Sequence, residues 1–515
     1  MLNQLALIRR ICLLALVQVV LVGVAGAQEF GEVASDLSFE PRWTGYFKNE
    51  TAYRVREPRT FTKIRNIIGM RGTLPVTPRM DAVFSGRAYY DLAYDLFDYD
   101  TIAARSERNA DQPLTFIENL AQQKDSPVAE IRELYVDMYM DNLDLRMGRQ
   151  FVVWGVLTGV RVVDEINPMD FRELILPDLL DYRIPLWTAR ADYYGDGYDL
   201  EFLFIPDIRF HKPAPPGSEW ELLQEVPGTT RPDTFEMTNS EFAVKWEKTF
   251  GETDVSLSYF RTWDDFPVIF RRVPVDPEPT DPGSTDTSAG SGGQDGGTST
   301  TVGQGASEGT TTDTQAQFFP RYTRINMFGA TFRRLVHGQV LKGELAYVTD
   351  KYFALTRIDR NNDGFVDHQG ELKRDHIRWG LGLDFNILKT DFSPSLVQWV
   401  ILDYDPALLQ DQVDTTFNLF VRREFAGRRA EFSLLGIYLM NMDEMYLKPK
   451  LTVNITDRVQ LATGMDIFTG KRTVTGVTAK EGNPTKLNFD VDQRTQFIGN
   501  FFDNDRVFVN FKYSF

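Results

Sequence analysis

From Met445 to Ile455 the side chains fall into two sets on alternate residues. Met445, Leu447, Pro449, Leu451, Val453 and Ile455 are apolar, while Tyr446, Lys448, Lys450, Thr452 and Asn454 are polar. A period of two is that of a strand with one apolar and one wet face. The same alternation separates Arg378, Gly380, Gly382, Asp384 and Asn386 from Ile377, Trp379, Leu381, Leu383, Phe385 and Ile387, and Glu133, Tyr135, Asp137 and Tyr139 from Leu134, Val136, Met138 and Met140. These runs extend over about 10 to 14 residues, the length a tilted strand needs to cross a bilayer. An apolar face of that length is expected to meet lipid. Backbone groups in lipid cannot be left unpaired, so the strands must close on themselves. The alternation therefore predicts an all-β fold, a transmembrane antiparallel β-barrel.

The rest of the chain fits export to such a place. Arg9 and Arg10 precede an apolar run from Ile11 to Val24 that ends at Ala25-Gly26-Ala27. That is the pattern of a secretory signal peptide, expected over 1–27, with 28–515 forming the barrel. The apolar run is shorter than the roughly 20 residues of a spanning helix. Cys12, the single cysteine, lies inside the signal, so neither a disulfide framework nor a thiolate site is expected beyond it. A net charge of −17 excludes nucleic acid as a partner, since phosphates call for a basic face.

Eighteen segments, from 42–55 to 506–515 and including 143–154, 374–388 and 395–403, carry strand patterning, with sixteen as the alternative count. An even number places both termini on the periplasmic side. Short turns such as Gly195-Asp196-Gly197 and His337-Gly338 then alternate with long segments at 93–129, 155–185, 207–239, 264–321, 351–373 and 470–505, which become extracellular loops. In the last segment Phe511, Tyr513 and the terminal Phe515 lie on one face. A final amphipathic strand ending on an aromatic residue resembles the signal read by the barrel assembly machinery, which makes that machinery and outer-membrane lipids the expected partners.

Two loops stand out by composition. Residues 273–317 are dominated by Gly, Ser, Thr, Asp and Pro, which predicts a mobile, low-complexity extracellular loop within the barrel. Residues 155–185 are instead rich in Leu, Ile and Val mixed with Asp and Glu, and that much apolar surface is costly to leave in water. The segment is expected either to fold into the lumen as a constriction or to cap the outer loops. Asp164, Glu165 and Asp170 are its candidate gate residues.

Several stretches look like a known family. Gly148-Arg149-Gln150 with Trp154-Gly155, Asn167-Pro168-Met169-Asp170-Phe171-Arg172-Glu173, Leu176-Pro177-Asp178, Arg183-Ile184-Pro185-Leu186-Trp187 and Asn504-Asp505-Arg506 resemble an outer-membrane β-barrel family of unknown function related to alginate exporters. The resemblance implies a barrel in the cell outer membrane without implying one common cargo.

If the apolar faces meet lipid, Lys63, Arg65, Arg71, Arg87 and Arg146 line the pore, and Lys448 and Lys450 share that face. Rings of basic side chains select anions. The same cations could instead pair with Asp81, Glu133, Asp137 and Asp144 and stiffen the barrel. The expected function is a channel, exporter or importer for an acidic, lipid-like or other small cargo. A structural or adhesive barrel is the alternative, and an outer-membrane hydrolase a minor one. No enzyme is expected, because only four histidines occur to serve a nucleophile. No cofactor is required, but Asp359, Asn361, Asp363, the carbonyl of Phe365, and Asp367, with Gly364 at the turn, have the spacing of the first part of a calcium loop. Gly370 stands where a bidentate glutamate is expected, and Glu371 comes one residue late.

Removing 278–312 is expected to leave folding and membrane insertion intact, because a segment of this composition contributes no core. Retention of the heat-modifiable folded band on a gel checks this.

Overall fold

A computed structural model of the chain describes residues 40–57, 59–96, 128–214, 219–220, 228–273, 317–356, 358–471, 476–480, 483–490 and 497–515. The expected signal peptide and most of the low-complexity loop lie outside them. Eighteen strands form the wall: β1 (Arg42–Arg54), β2 (Thr60–Thr77), β3 (Met80–Asp91), β4 (Val128–Tyr139), β5 (Leu143–Gln150), β6 (Leu186–Gly195), β7 (Tyr198–Ile205), β8 (Glu241–Phe250), β9 (Thr253–Trp263), β10 (Arg324–Val336), β11 (Gln339–Ala354), β12 (Glu371–Ile387), β13 (Thr390–Ile401), β14 (Val413–Phe425), β15 (Ala430–Leu439), β16 (Glu444–Asn454), β17 (Val459–Thr469) and β18 (Arg506–Ser514). Two further hairpins, Val268–Arg272 with Gln317–Arg321 and Gly476–Lys480 with Asn483–Asp490, are not part of the wall's ladder.

Each wall strand pairs antiparallel with its neighbours, and β18 returns to β1 from Tyr46↔Ser514 to Arg54↔Arg506, which closes the sheet. Beyond the ladder the Phe515 N–H donates to the Gly45 carbonyl at 2.9 Å, and the Gly45 N–H donates to the Phe515 carbonyl at 2.8 Å. No edge is left along the seam to pair with another chain or to face lipid unbonded.

Outward-facing side chains are apolar along the wall, among them Ile68, Met70, Phe202, Leu257, Phe328, Leu345, Leu381 and Val509, all exposed on the free molecule. At the short-turn end Trp43, Tyr139, Tyr194, Phe250, Phe425 and Phe515 add exposed rings, the position of an interfacial aromatic girdle. The closed barrel with this belt places the protein in the outer membrane.

All eighteen expected segments are strands, with differences at their ends. The expected strands 374–388 and 395–403 are 371–387 and 390–401, because the chain reverses at Leu388-Lys389 with both residues at positive φ (52° and 64°). A reversal of that kind usually carries Gly or Asn, so the sequence held no turn signal there. The segment expected over 143–154 stops as a strand at Gln150. There, Gly148 takes a φ of 135°, which brings it so near Leu134 and Tyr135 that a Cβ would not fit.

The inner face departs from the simple rule of polar inside and apolar outside. On β7 Phe202 and Phe204 point to lipid, yet Leu203 and Ile205 on the other face are buried too. Ala243, Phe260, Ile325, Met327, Ala346, Val348 and Val397 continue this apolar inner wall across the neighbouring strands. A strand covered on both faces reads as a continuous apolar run, and the cover here is the loop between β5 and β6.

Deleting Phe515 removes both seam hydrogen bonds and one girdle ring. It is expected to reduce the amount of heat-modifiable barrel recovered from the outer membrane several-fold, as read by gel shift and surface labelling.

Candidate functional site

The chain from Phe151 to Pro185 leaves β5 and enters the barrel. Its first half buries Val152, Trp154, Val162, Val163 and Ile166 against the apolar inner wall, at about 1.5–3 kcal/mol for each large side chain removed from water. Leu157 fits where β12 has no side chains: a Cβ on Gly380 or Gly382 would meet its methyl carbons at 2.6 and 2.8 Å. Polar groups of the loop are satisfied inside the lumen as well. The Glu344 carboxylate on β11 accepts backbone N–H bonds from Val156 (2.5 Å), Leu157 (2.7 Å) and Val163 (3.1 Å). Trp154 donates its indole N–H to Glu201 on β7 at 2.9 Å. Of the two expected courses for 155–185, the structure adopts the inward one.

The second half of the loop crosses to the opposite wall, which is charged. Glu173 bridges Lys63 and Arg65, with Arg65 at 2.5 Å; Asp181 lies 3.2 Å from Arg87; and Asp178 lies 3.7 Å from Lys450. Lys448 donates to the carbonyl of Leu176. Between this half and the wall lies a cavity of about 410 Å³. From the first and last strands come Lys48, Lys63, Arg65, Arg87, Lys448, Lys450, Arg506 and Lys512, against only Glu50 and Asp466. The loop contributes Arg172 against Asp170, Glu173, Asp178 and Asp181. Nine basic side chains therefore face six acidic ones, a formal excess of three positive charges, in a chain whose net charge is −17. Several cations stand over rings: Arg65 is 4.9 Å from the centre of Tyr89, Lys512 5.0 Å from Tyr46, and Lys448 5.7 Å from Phe508.

A second cavity of about 720 Å³ continues from the first. Tyr46, Arg87, Asp181 and Lys512 line both, and the second reaches Arg458 in a short turn and the terminal Phe515. The two together lie beside the loop along β1–β3 and β18, toward the short-turn end.

The sequence candidates divide among these places. Lys63, Arg65 and Arg87 line the first cavity, and Arg71 lines the second, where it pairs with Glu133. Arg146 lines neither: its guanidinium is held by Asp137 at 2.6 and 3.0 Å and lies over the Tyr135 ring. Pairing and cavity lining are thus not exclusive, and the expected partners Glu133 and Asp137 are both used.

Among the candidate gate residues, Asp164 is turned into the loop, where it pairs with the fully buried Arg183 and caps the Trp154 N–H at 3.0 Å. Glu165 lies 3.2 Å from Arg378 and 3.7 Å from Arg161. Burial alone would raise its carboxyl, but Arg161 and Arg378 outweigh burial and hold it below the usual range. Only Asp170 lines the cavity, paired with Arg172. Glu173, Asp178 and Asp181, which in the sequence are only part of the loop's acidic composition, are the acids that face the cationic wall. The alternation at Lys448 and Lys450 places cations on the lumenal face but does not encode which acids meet them.

The turn at 359–367 uses its carboxylates locally. Asp359 accepts from the N–H groups of Asp363 (3.2 Å) and Gly364 (2.7 Å), Asn361 accepts from Asp363 at 3.0 Å, Asp363 accepts from Phe365 at 2.9 Å, and Asp367 accepts from Arg360 at 3.2 Å. Among the described residues no group of three or more His, Cys, Asp or Glu is disposed to hold a metal ion. Two of the histidines serve as acceptors in packed surroundings. His211, pushed down to about 3 by burial and by Arg161, accepts from the Met169 N–H at 2.9 Å, and His376 accepts from Arg378 at 2.9 Å.

A family model described as a protein of unknown function, DUF1302, matches residues 66–371. No curated protein matches the chain. Among solved structures the chain is similar to OccAB2 of Acinetobacter baumannii, at 10% identity and a TM-score of 0.47, covering 93% of this chain and 99% of that one. It is also similar to the outer membrane protein opdK of Pseudomonas aeruginosa, at 8% identity and a TM-score of 0.43, covering 92% and 99%. OccK2 (OpdF) of Pseudomonas aeruginosa, solved in complex with glucuronate, gives 7% identity and a TM-score of 0.44, covering 92% and 98%.

Replacing Glu344 by Ala leaves three loop N–H groups without their acceptor, at about 1–3 kcal/mol for each buried group left unpaired. The wall itself keeps its ladder. Glu344→Ala is expected to keep the folded band, to expose 151–165 to protease and to raise single-channel conductance in planar bilayers.

Proposed function

Since the chain belongs to this family of proteins of unknown function, its own lumen has to supply the reading, and we propose that it is an outer-membrane channel for small organic anions. The observation that carries the proposal is the sign of the passage: an excess of positive charge lines the cavity of a strongly acidic protein. Inside a narrow lumen screening is incomplete, and fixed cations raise the local concentration of anions. The inward loop restricts the route to the side of β1–β3 and β16–β18, so cargo passes within reach of the basic side chains. Rings beneath Arg65, Lys448 and Lys512 favour an anion with an apolar or cyclic body over a bare inorganic ion, because a ring face receives apolar surface while the cation holds the charge.

Conductance in planar bilayers under a salt gradient tests this. Changing Lys448, Lys450 and Lys512 to Gln takes the formal excess in the cavity from three to zero, and the reversal potential is expected to move from the anion side to the cation side or to zero. Arg146→Gln, outside both cavities, is expected to leave it in place. A purified barrel that conducts no ions would sink the channel reading and favour a structural barrel. Unselective conductance would leave a channel but remove the anion.

A further inference from the structure

The inward loop is held in two ways along its length, and the difference marks one part of it as replaceable. Leu176 is buried against Tyr446 and Phe468, and Arg183 is fully buried with Asp164. Between these anchors the short helix Leu179–Tyr182 has no buried residue. Leu180 is 59% exposed inside the barrel. What ties 177–182 to the wall is charge: Asp178, with its side chain 66% exposed, lies 3.7 Å from Lys450, Asp181, 40% exposed, lies 3.2 Å from Arg87, and the backbone carbonyls of Leu180 and Asp181 accept from Arg132 and Arg87. The Arg87 guanidinium is fixed from behind, where its Nε donates to Glu130 at 2.7 Å, so its outer end is directed to Asp181. Against desolvation, Lys450 and Lys448 keep Asp178 ionised below the usual carboxylate range.

Magnitudes separate this segment from the rest of the loop. Half-exposed ion pairs contribute little each, so a free carboxylate competes with them on nearly equal terms. Glu173, 7% exposed between Lys63 and Arg65, is different: breaking a buried pair leaves an uncompensated buried charge and is strongly destabilising. Glu173 and the apolar first half therefore stay, and 177–182 is the part that yields.

We propose that Pro177–Tyr182 is a displaceable flap whose Asp178 and Asp181 occupy two anion subsites of the wall, one at Lys448 and Lys450 and one at Arg87, and that the ligand of these subsites is an organic anion bearing two or more carboxylates. This rests on the anion-channel reading and adds the ligand class and the moving part. A monocarboxylate replaces one aspartate and leaves the other attached. A polycarboxylate replaces both, the second replacement being intramolecular and so favoured by effective concentration. Carboxylate is the class indicated because carboxylates are the groups that the loop itself presents there, and the forked guanidinium suits their planar geometry.

The test is hydrogen–deuterium exchange of the purified barrel in detergent, followed by mass spectrometry, with citrate or acetate added at matched ionic strength. Citrate is expected to speed exchange in peptides covering 177–182 several-fold, acetate to have little effect, and 151–166 to stay protected throughout. The double variant Asp178→Asn with Asp181→Asn, checked for folding by its heat-modifiable band, is expected to exchange fast in 177–182 without citrate and to ignore it. Unchanged exchange with citrate, or a double variant as protected as the parent, overturns the flap; equal acceleration by acetate overturns the polycarboxylate class. The reversal potential of the same preparation separates the two readings: anion selectivity with an unresponsive flap removes only this inference, whereas loss of anion selectivity removes the channel reading beneath it.

Discussion

The backbone N–H and C=O groups of a strand in lipid have no water to bond, and the structure follows from that constraint. Every wall strand has a partner on each side, and the first and last strands complete the circuit through their own ladder and the two bonds between Gly45 and Phe515. Closure fixes the topology, and alternation then sorts side chains between lipid and lumen. The long connections fall at one end because each pair of strands returns there, and the loop from Phe151 to Pro185 starts from that end.

An 18-stranded barrel is wide enough to leave its centre open, and this one fills much of it with its own chain. The filling is asymmetric. Across β6–β13 the inner wall is apolar and receives Val152, Trp154, Val162, Val163 and Ile166, with Glu344 taking the backbone donors of the loop. Around β1–β3 and β16–β18 the inner wall is basic and receives acids. One loop thus plugs the barrel on its greasy side and leaves a cavity with an excess of basic side chains on the other. The asymmetry gives that cavity its sign, although the molecule as a whole is acidic.

The two halves also differ in how they respond to solution conditions. Apolar packing and buried backbone hydrogen bonds are little affected by salt, whereas half-exposed ion pairs are screened over a Debye length of about 8 Å at physiological ionic strength. Salt therefore acts on one half of the plug and spares the other. This division is a property of the wall as much as of the loop, since the cations belong to strands at the two ends of the chain.

What the sequence by itself determined is what depends on neighbouring residues. A period of two is local, so the strands, their number, the side on which long loops emerge and the lumenal placement of Lys63, Arg65, Arg71 and Arg87 could be read from it. The turn at Leu388-Lys389 was not legible, because the residues that make it are not turn residues and tertiary pairing imposes the reversal. The apolar inner face of β7 was legible only as a run without alternation. Tertiary structure decided the rest: that Glu344 meets a loop residue 188 positions away, that Lys63 meets Glu173 across 110, that Asp164 turns inward to Arg183, and that Asp178 and Asp181 face cations from both ends of the chain. Those meetings depend on closure bringing strands at opposite ends of the sequence around one lumen, and no local pattern encodes which partner stands across it.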